Sequence, residues 1–389
     1  MFTTTLRNLR HATHPFFLQR WINRLPHLVL VLAFPITLTS VQAEDLPKTI
    51  RFGEVGSASL HSVGGKPAGT GLVPLAIELG FFDQEFGKEG PKIETDYFSG
   101  TGPAINEALA QNEIDFGSYG GLPNVIGLAG GIPAHIVATR QYTTASYYFA
   151  VRSDSPIKSI DDLRGKRITV QKGTNPYQEL VLFLATHGIA EKDVTIVNLQ
   201  GAEAVVAFNA GAVDAVFGGT NLLILQDQGK ARIVANTKGF QFGGTSGFLV
   251  NNTFEKTYPE AVARVVKVLT KTAWWASEES NREQLLKFIS DRSYSLPYIE
   301  KEYEGSLRER YSPLINEASI TSFADTVKFA AEHKLIRKEV DESGVRGWFE
   351  PQYQQAALKE LKLDTYWTAP GSPAVAAPAP KTTAVTTQG

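Results

Sequence analysis

Residues 98–121 read FSGTGPAINEALAQNEIDFGSYGG, and this stretch decides the fold that we predict. It begins at the end of a β-like run, turns through Ser99–Gly102, and continues as a helical pattern rich in Ala, Leu and Glu. A second short apolar run, Ile114–Phe116, leads into another turn of small residues at Gly117–Gly121. Pro123 follows just inside the next helix, where its missing N–H is tolerated. The stretch therefore predicts two strand ends that each deliver the chain to the start of a helix.

Turns of this kind favour the binding of anions. The first N–H groups of a helix lack an internal hydrogen-bond partner, and the helix dipole places its positive end there. Glycine and small hydroxyl residues allow a ligand to approach those N–H groups closely. Any α/β protein contains helices that begin after glycine turns, so a single turn of this kind would be a weak indication.

The same pattern returns 99 residues later along the chain. Residues Thr101–Tyr119 align with residues Gln200–Gly218, so that Asp115 falls on Asp214. Both copies end in a turn of small residues. The repeat predicts two similar lobes that face one ligand.

The first 43 residues have the features of a secretory signal peptide. They contain four arginines and no acidic residue, and an apolar run at Leu28–Leu38 precedes the small-residue site Val41–Ala43. A basic segment, a short apolar core and such a site are the three parts of an export signal. The apolar run is short and interrupted by Pro35, which is unfavourable for a membrane span. We expect export to the periplasm with cleavage after Ala43.

Composition limits the remaining possibilities. The 389 residues contain no cysteine, which excludes disulfides and cysteine-based metal or catalytic chemistry. Removing the four arginines of the signal segment leaves 34 basic against 40 acidic residues, a net charge of −6. A mildly acidic chain lacks the concentrated basic face that nucleic-acid binding requires. We therefore predict no nucleic-acid partner.

The order of the elements predicts an α/β protein with two lobes joined by two crossing strands. Residues 46–140 alternate between strand and helix patterns, which is typical of a parallel sheet covered by helices. We assign residues 44–144 to the first part of lobe I and residues 145–243 to lobe II. Residues 244–367 would return to lobe I and supply its C-terminal helices. The tail at 368–389 is rich in Pro, Ala and Thr and is predicted to be disordered.

Four segments resemble a known family. The most specific is VRSDSPIKSIDDLRGKRITVQKGTNPY at residues 151–177. The others are GTGLVPLAIELGFFDQEF at 69–86, DYFSGTGPAINEALAQNEIDFGSYGGLPNVIGLAGG at 96–131 and FNAGAVDAVFGG at 208–219. Together they resemble the periplasmic substrate-binding proteins of ABC importers, in the subgroup for aliphatic sulfonates, taurine and nitrate. The resemblance extends from residue 48 to about residue 290.

This resemblance implies a two-lobed periplasmic-binding-protein fold of type II, with the ligand in the cleft between the lobes. It implies the solute-binding component of an ABC importer, which binds a small organic anion and delivers it to membrane permease subunits. An aliphatic sulfonate or sulfate ester is the first choice of ligand, with nitrate and taurine as alternatives. We expect a monomer that uses no cofactor, no metal and no catalytic residue.

Five turns at helix starts supply most of the candidate ligand-binding residues. The turns offer backbone N–H groups or hydroxyls and contain no Asp or Glu. A sulfonate or nitrate has no proton to donate, so a site made only of donors would favour these ions over monoprotonated phosphate. That preference would weaken if Glu54 or Glu203 pointed into the cleft. The predicted residues are Gly69, Thr70, Ser99, Thr101, Gly102, Ser118, Tyr119, Arg140, Lys172, Gly173, Thr174, Asn175, Thr220, Asn221 and Ser246.

Arg140 and Lys172 are the strongest cationic candidates near these turns. A salt bridge at a strand end is an equal interpretation of Arg140. Tyr119 would line the organic part of a ligand, and Tyr147 would do so or pack at the hinge.

An exported enzyme on the same scaffold, of the type that acts on thiamine-pyrimidine precursors, is the alternative function. Gly244–Phe248 misses the G-x-S-x-G motif because Phe248 stands in place of the last glycine. The histidines that follow the signal segment lie singly, without the spacing of a zinc site. These histidines are His61, His135, His187 and His333. We therefore predict a binding protein and not an enzyme.

Overall fold

The computed structural model describes residues 46–56, 69–141, 146–240 and 244–368. The predicted signal peptide, most of the loop between Gly56 and Gly69, and the tail beyond Thr368 lie outside the described residues. Within the described ranges, none of the helices combines the length and the apolar character that crossing a membrane would require.

The described strands form two five-stranded mixed sheets. The first sheet contains β1 (Thr49–Val55), β2 (Lys92–Phe98), β3 (Phe116–Tyr119), β4 (Ala134–Gln141) and β10 (Thr245–Asn251). The second contains β5 (Tyr148–Arg152), β6 (Arg167–Thr169), β7 (Thr195–Val197), β8 (Ala215–Gly218) and β9 (Ala231–Asn236). Their orders are β2-β1-β3-β10-β4 and β7-β6-β8-β5-β9, with β10 and β5 antiparallel to their neighbours. Each sheet with its helices is one lobe of the predicted α/β fold.

Helices cover the sheets and fill the C-terminal part of the chain. Those between the strands of the first sheet are α1 (Leu72–Glu78), α2 (Phe81–Phe86), α3 (Thr101–Ala110) and α4 (Gly121–Ala129). Those of the second lobe are α5 (Asn175–Thr186), α6 (Gly201–Asn209) and α7 (Asn221–Asp227). The C-terminal helices are α8 (Asn252–Thr257), α9 (Pro259–Ser277), α10 (Arg282–Ser290), α11 (Leu296–Glu302), α12 (Leu307–Arg310), α13 (Glu317–Glu332), α14 (Glu342–Arg346) and α15 (Pro351–Glu360).

The internal repeat of the sequence is visible in matching ion pairs. In the first sheet, the Asp115 carboxylate accepts from Arg51 N at 2.8 Å and from Arg51 Nη2 at 2.6 Å. In the second, the Asp214 carboxylate accepts from Arg167 N at 2.8 Å and from Arg167 Nη2 at 3.0 Å. Arg51 lies in β1 and Arg167 in β6, and each aspartate directly precedes the strand next to it, β3 or β8. The two lobes therefore build equivalent strands with equivalent bonds.

The core of the first lobe lies between its sheet and α9. Rings of Phe52, Phe116 and Phe248 from β1, β3 and β10 have centroids between 5.2 and 6.3 Å apart. The buried residues of α9 recur at helical spacing, and burial of each Val or Leu side chain among them contributes about 1.5–3 kcal/mol. They include Ala261, Val262, Val265, Val266 and Leu269.

The chain passes between the sheets twice, from β4 to β5 and from β9 to β10. The two passages meet where Thr237 N donates to the carbonyl oxygen of Tyr147 at 2.9 Å. Tyr147 N in turn donates to the Thr237 hydroxyl oxygen at 2.9 Å. Glu179 of α5 also bonds Thr237, and burial raises the pKa of Glu179 to about 7. A hinge between the lobes is expected where two such connections run side by side.

Some element boundaries differ from those that the sequence predicts. The spacing of Leu72, Leu75, Ala76 and Leu79 predicts a helix that ends at Gly80 and is capped by Thr70. In the structure α1 instead has Gly71 as its N-cap and no side-chain capping bond. Phe81 and Phe82 follow Gly80 directly, and in the structure they are buried and begin α2. The resemblance is weak beyond residue 290, and α14 and α15 are not predicted. Short helices separated by turns leave little periodicity to detect.

Candidate ligand-binding site between the lobes

A cavity of about 570 Å³ lies between the two sheets. Its wall includes the ends of β1, β3, β4, β6 and β8 and the beginning of β10. Since β10 runs antiparallel, its beginning lies at the same sheet edge as the carboxyl ends of the other strands. Ligands of open α/β sheets bind at this edge. The fold therefore brings residues from both lobes to one shared space.

Ten of the fifteen residues predicted as a site line this cavity. They are Thr70, Thr101, Gly102, Ser118, Tyr119, Arg140, Thr174, Asn175, Asn221 and Ser246. Each of the five predicted turns contributes at least one lining residue. The turns are thus gathered around one space rather than spread over the surface.

The other five predicted residues do not line the cavity. These are Gly69, Ser99, Lys172, Gly173 and Thr220. The Lys172 side chain is 46% exposed, and its Nζ lies 3.7 Å from Glu191 Oε1. Ser99 and Thr220 instead form contacts at the edge of the cavity. The positive charge of Lys172 therefore lies beside Glu191, and Lys172 does not supply the cation that was predicted at the cavity.

Four helices of eight or more residues begin at the cavity wall. Thr101 and Gly102 lie in the first turn of α3, and Gly120 is the N-cap of α4. Thr174 is the N-cap of α5, and Gln200 is the N-cap of α6. Two of these helices belong to each lobe. Their first N–H groups and positive dipole ends make this part of the cavity favourable for an anion.

Two predicted hydroxyls form bonds within the protein. Thr101 Oγ1 donates to Gln171 Oε1 at 2.9 Å, which joins α3 of the first lobe to the end of β6. Thr174 Oγ1 donates to the carbonyl oxygen of Gln171 at 2.6 Å. Gln171 is a lining residue that the sequence does not single out. The hydroxyls of Thr101 and Thr174 thus shape the turns around the cavity.

Further bonds join the lobes around the edge of the cavity, which we call the cleft edge. Leu122 N donates to Asn175 Oδ1 at 2.9 Å. Gln200 Nε2 donates to the Ser99 carbonyl oxygen at 2.8 Å, and Thr220 Oγ1 donates to Glu302 Oε2 at 3.0 Å. The lobes are therefore closed on each other in this structure.

Gln200 and Glu302 are residues that sequence reasoning missed. The internal repeat held a signal for Gln200, because that alignment places it opposite Thr101. Glu302 and Arg310 lie in the C-terminal helices, where the family resemblance is weak and no turn pattern marks them. Both line the cavity. Only the packing of these helices against the cleft brings them to the site.

The charged residues that line the cavity include two carboxylates and two guanidinium groups. They are Glu54, Glu302, Arg140 and Arg310. Both carboxylates lie outside the five predicted turns, so the cavity wall offers acceptors as well as donors. Since Glu54 lines the cavity, the predicted preference for sulfonate or nitrate over monoprotonated phosphate is weakened. Glu203, the other carboxylate considered, is exposed on α6 and does not line the cavity.

Glu54 is the most buried of these charged residues, with 5% of its surface exposed. Burial raises the pKa of the Glu54 carboxyl to about 7, although Arg140 and the backbone N–H of Val73 act in the opposite direction. Glu54 Oε1 has no hydrogen-bond partner among the described residues. A buried acceptor without a partner is rare in folded proteins and calls for an explanation.

Aromatic residues line part of the wall. Tyr147 packs face to face with Phe217, with ring centroids 5.2 Å apart. Tyr119 is buried, its hydroxyl donates to Asn106 Oδ1 at 2.5 Å, and burial raises the pKa of the Tyr119 hydroxyl. These residues offer an apolar surface to an organic ligand.

One cluster of potential metal ligands lies away from this cavity, within the part of the chain that the structure describes. His135, Glu255 and Glu350 bring ligand atoms within 4.8 Å of one another. His135 Nδ1 lies 2.7 Å from Glu255 Oε2, and this hydrogen bond raises the pKa of His135. The residues come from three separate elements, so a search by sequence spacing does not detect the cluster.

The fold and the cavity define a class of protein. Two α/β lobes, each with a mixed sheet in the observed strand order, close on a cavity at their carboxyl edges. This is the two-lobed periplasmic-binding-protein fold. The NMT1/THI5-like family profile matches residues 70–282, more than half of the chain. The chain belongs to this family.

Relatives and solved structures agree with this assignment. A protein of Bacillus subtilis (strain 168), provisionally named an aliphatic sulfonates-binding protein, is 30% identical over 276 residues. The match covers 69% of this chain and 81% of that protein. The periplasmic sulfonate-binding protein SsuA of Methylobacillus flagellatus KT, also a provisional name, is 32% identical, with a TM-score of 0.69. The match covers 84% of this chain and 98% of that one.

A third similar protein has been solved with a bound molecule. The alkanesulfonate-binding protein SsuA of Xanthomonas axonopodis pv. citri is described bound to MOPS. It is 26% identical with a TM-score of 0.63, and the match covers 77% of this chain and 98% of that one.

Proposed function

We propose that this protein is the exported solute-binding component of an ABC importer and that it binds a small organic sulfonate between its lobes. The observation that supports this function best is the shared cavity at which four helices from two lobes begin. The names of the similar proteins support the same class of ligand.

A sulfonate suits this arrangement chemically. It is fully ionised and has three acceptor oxygens, so it can accept from backbone N–H groups of several helices at once. Hydrogen bonds in which one partner is charged are roughly twice as strong as neutral ones. Contacts with both lobes favour the closed form, because a ligand stabilises the conformation to which it binds better.

The size and lining of the cavity favour an organic ion over nitrate. A nitrate ion would fill only a small part of about 570 Å³. Tyr147, Leu199, Val205 and Phe217 supply apolar surface that a simple inorganic ion would not use. We therefore place the sulfonate at the helix starts and the carbon chain against these residues.

The proposed location is the periplasm, after removal of residues 1–43, and the proposed partners are membrane permease subunits. Closure of the lobes would create the surface that a permease distinguishes from the open form.

The function is tested on protein purified from the periplasm of an expressing strain. We expect alkanesulfonates to raise the melting temperature and to bind with one-to-one stoichiometry in calorimetry. Inorganic nitrate and sulfate should have smaller effects. The ligand should be recovered unchanged by mass spectrometry, with and without added divalent metal. A sulfonate converted to product would favour the enzyme alternative, and the absence of any shift with sulfonates would contradict the proposal.

A further inference from the structure

Three side chains with metal-binding atoms meet at one end of the first sheet, away from the cavity. They are His135, Glu255 and Glu350, and one ligand atom of each lies within 4.8 Å of the others. His135 Nδ1 is 2.7 Å from Glu255 Oε2 and 3.8 Å from Glu350 Oε1. Both carboxylates therefore face the same nitrogen of one imidazole ring.

Backbone hydrogen bonds fix the place of each of these residues. His135 is the second residue of β4, which is the last strand in the order of the first sheet. The segment before α15 pairs with this strand, since Glu350 N donates to the carbonyl oxygen of Ile136 at 2.9 Å. Helix α8 begins where β10 ends, and Asn252 N donates to the carbonyl oxygen of Pro133 at 2.8 Å. Three separate elements thus present their side chains to one point.

Neighbouring side chains hold both carboxylates in place. Gln352 Nε2 donates to Glu350 Oε2 at 2.6 Å, and the Tyr353 hydroxyl bonds the Glu255 carboxylate. The oxygen of Glu350 that faces His135 is Oε1, so the bond from Gln352 leaves that oxygen available. Outer partners of this kind orient the ligands of metal sites.

The charges of this cluster suit a divalent cation. Among the residues that the structure describes, neither Glu255 nor Glu350 forms an ion pair with a lysine or an arginine, and both face His135. The Glu255 side chain is only 12% exposed, so water shields its charge poorly. Carboxylates in such surroundings are normally paired or coordinate a metal. Two carboxylates and a neutral imidazole carry two negative charges, which one divalent ion neutralises.

The type and spacing of the ligand atoms favour zinc. Zinc ligands lie about 2.0–2.2 Å from the ion, which places two ligand atoms of a tetrahedral site about 3.4 Å apart. The separations of 2.7 and 3.8 Å from His135 Nδ1 lie on either side of this value, so small rotations of the glutamate side chains complete the geometry. The ion takes the place of the proton in the His135–Glu255 hydrogen bond. An imidazole ligand favours zinc over Ca²⁺ and Mg²⁺, which prefer oxygen ligands.

We propose that His135, Glu255 and Glu350 bind a zinc ion that links α8 and α15 to β4 of the first sheet. A water molecule completes the tetrahedron. Arg140 lines the cavity five positions further along β4 than His135, which is about 17 Å at about 3.4 Å per residue. The zinc site is therefore separate from the cavity and does not depend on the proposed function.

The test begins with the mature chain, purified from the periplasm without a histidine tag and freed of metal by a chelator. Calorimetry with zinc chloride should show one ion per chain with a dissociation constant below about 10 μM. Zinc should also raise the melting temperature, because an ion that binds the folded chain stabilises it. Calcium and magnesium chloride should have neither effect. Absence of zinc binding by the wild-type protein would contradict the assignment.

Substitution of the ligands locates the ion. His135→Gln and Glu350→Gln should each weaken zinc binding at least about a hundredfold, because even loss of an outer partner of a metal ligand costs about 10–100-fold. Glutamine keeps a hydrogen-bonding side chain of similar size at both positions. Melting curves and circular dichroism without metal will show that both variants are folded.

His333→Gln is the matched control. His333 Nδ1 lies 2.6 Å from Glu191 Oε2, so it forms the same kind of bond as His135, but the described residues place no second carboxylate within 4 Å of it. This variant should bind zinc like the wild-type protein. Loss of zinc binding in His333→Gln, or its retention in both His135→Gln and Glu350→Gln, would overturn the proposal.

A competition experiment separates this site from the cavity. Zinc affinity should be the same with and without saturating butane-1-sulfonate, because the two sites lie at opposite ends of β4. Weaker zinc binding in the presence of the sulfonate would place the ion in the cavity and would contradict the proposal. Zinc binding by a protein that binds no sulfonate would leave the zinc site in place while the proposed function fails.

Discussion

At the scale of single residues, the candidate site depends on which groups accept hydrogen bonds from its threonine hydroxyls. Thr101 has a φ of 58°, in the left-handed region that β-branched residues rarely occupy. Its hydroxyl donates to Gln171 of the other lobe. The surrounding structure must hold this backbone in place, as is common where a residue serves a binding site. The hydrogen bond from Thr101 to Gln171 therefore links the two lobes.

Thr101→Ala should weaken ligand binding about fivefold, because one hydrogen bond between the lobes, about 1 kcal/mol, is lost from the closed form. Thr174→Ala should also weaken binding, since its hydroxyl fixes the turn at Gln171 through the carbonyl oxygen. Calorimetry with an alkanesulfonate measures both. Thr257→Ala is the control, because Thr257 is exposed and its hydroxyl also donates to a carbonyl oxygen, that of Thr253. Unchanged affinity in both cavity variants would contradict this view of the turns.

At the scale of elements, the repeated Arg–Asp pairs show how similar sequences build two lobes. Each pair joins a strand to the residue before its parallel neighbour. The pairs differ in burial, since the Asp115 side chain is 6% exposed and the Asp214 side chain 26%. An ion pair contributes less when water competes for it.

Asp115→Asn should therefore reduce the free energy of unfolding by about 1–2 kcal/mol, and Asp214→Asn by less than about 1 kcal/mol. Urea unfolding at pH 7 measures both. Equal losses of unfolding free energy would show that the difference in burial between Asp115 and Asp214 does not affect stability.

The Asp214 pair also has a predictable pH dependence. The hydrogen bond from Arg167 lowers the pKa of Asp214. The ion pair therefore contributes fully to stability above about 3.9, the pKa of an aspartate in the unfolded chain. This contribution is lost as pH falls through the lower pKa that Asp214 has in the folded protein. The cost of Asp214→Asn should accordingly be smaller at pH 3 than at pH 7.

At the scale of the whole molecule, function requires the lobes to open and close. The closed form is held at the cleft edge by bonds such as that from Leu122 N to Asn175 Oδ1. Gly120 lies beside the side-chain amide of Asn175. A Cβ atom added to Gly120 would be 2.6 Å from Asn175 Oδ1. Gly120 has a φ of −63°, so alanine fits its backbone and meets an obstacle only across the cleft.

Gly120→Ala should thus hinder closure without unfolding the first lobe. We expect about fivefold weaker sulfonate binding, the equivalent of one displaced hydrogen bond, and a larger radius of gyration with ligand in X-ray scattering. Gly347→Ala, at the end of α14 and outside the cavity, is the control. Normal compaction of Gly120→Ala on ligand addition would mean that Asn175 yields readily and that this contact does not control closure.

The sequence by itself determined the α/β class and the internal repeat. The hydrophobic periods of strands and helices are local properties of the sequence, and Gly-rich turns mark the strand ends in both copies of the repeat. The five turns and the α/β fold could therefore be predicted, and the structure confirms the fold. Asp115 and Asp214 could be aligned across the repeat for the same reason.

Only the tertiary structure decided the charge of the cavity. The sequence names Glu54 and Glu203 as carboxylates that could face the cleft but does not choose between them, and Glu302 and Arg310 lie in C-terminal helices with no motif. Their positions depend on how α1 and the C-terminal helices pack against the sheet. Lys172 shows the reverse case, since a cation predicted beside the cleft pairs with Glu191 instead. Packing between residues distant in sequence sets which charges face a ligand, and no local pattern encodes it.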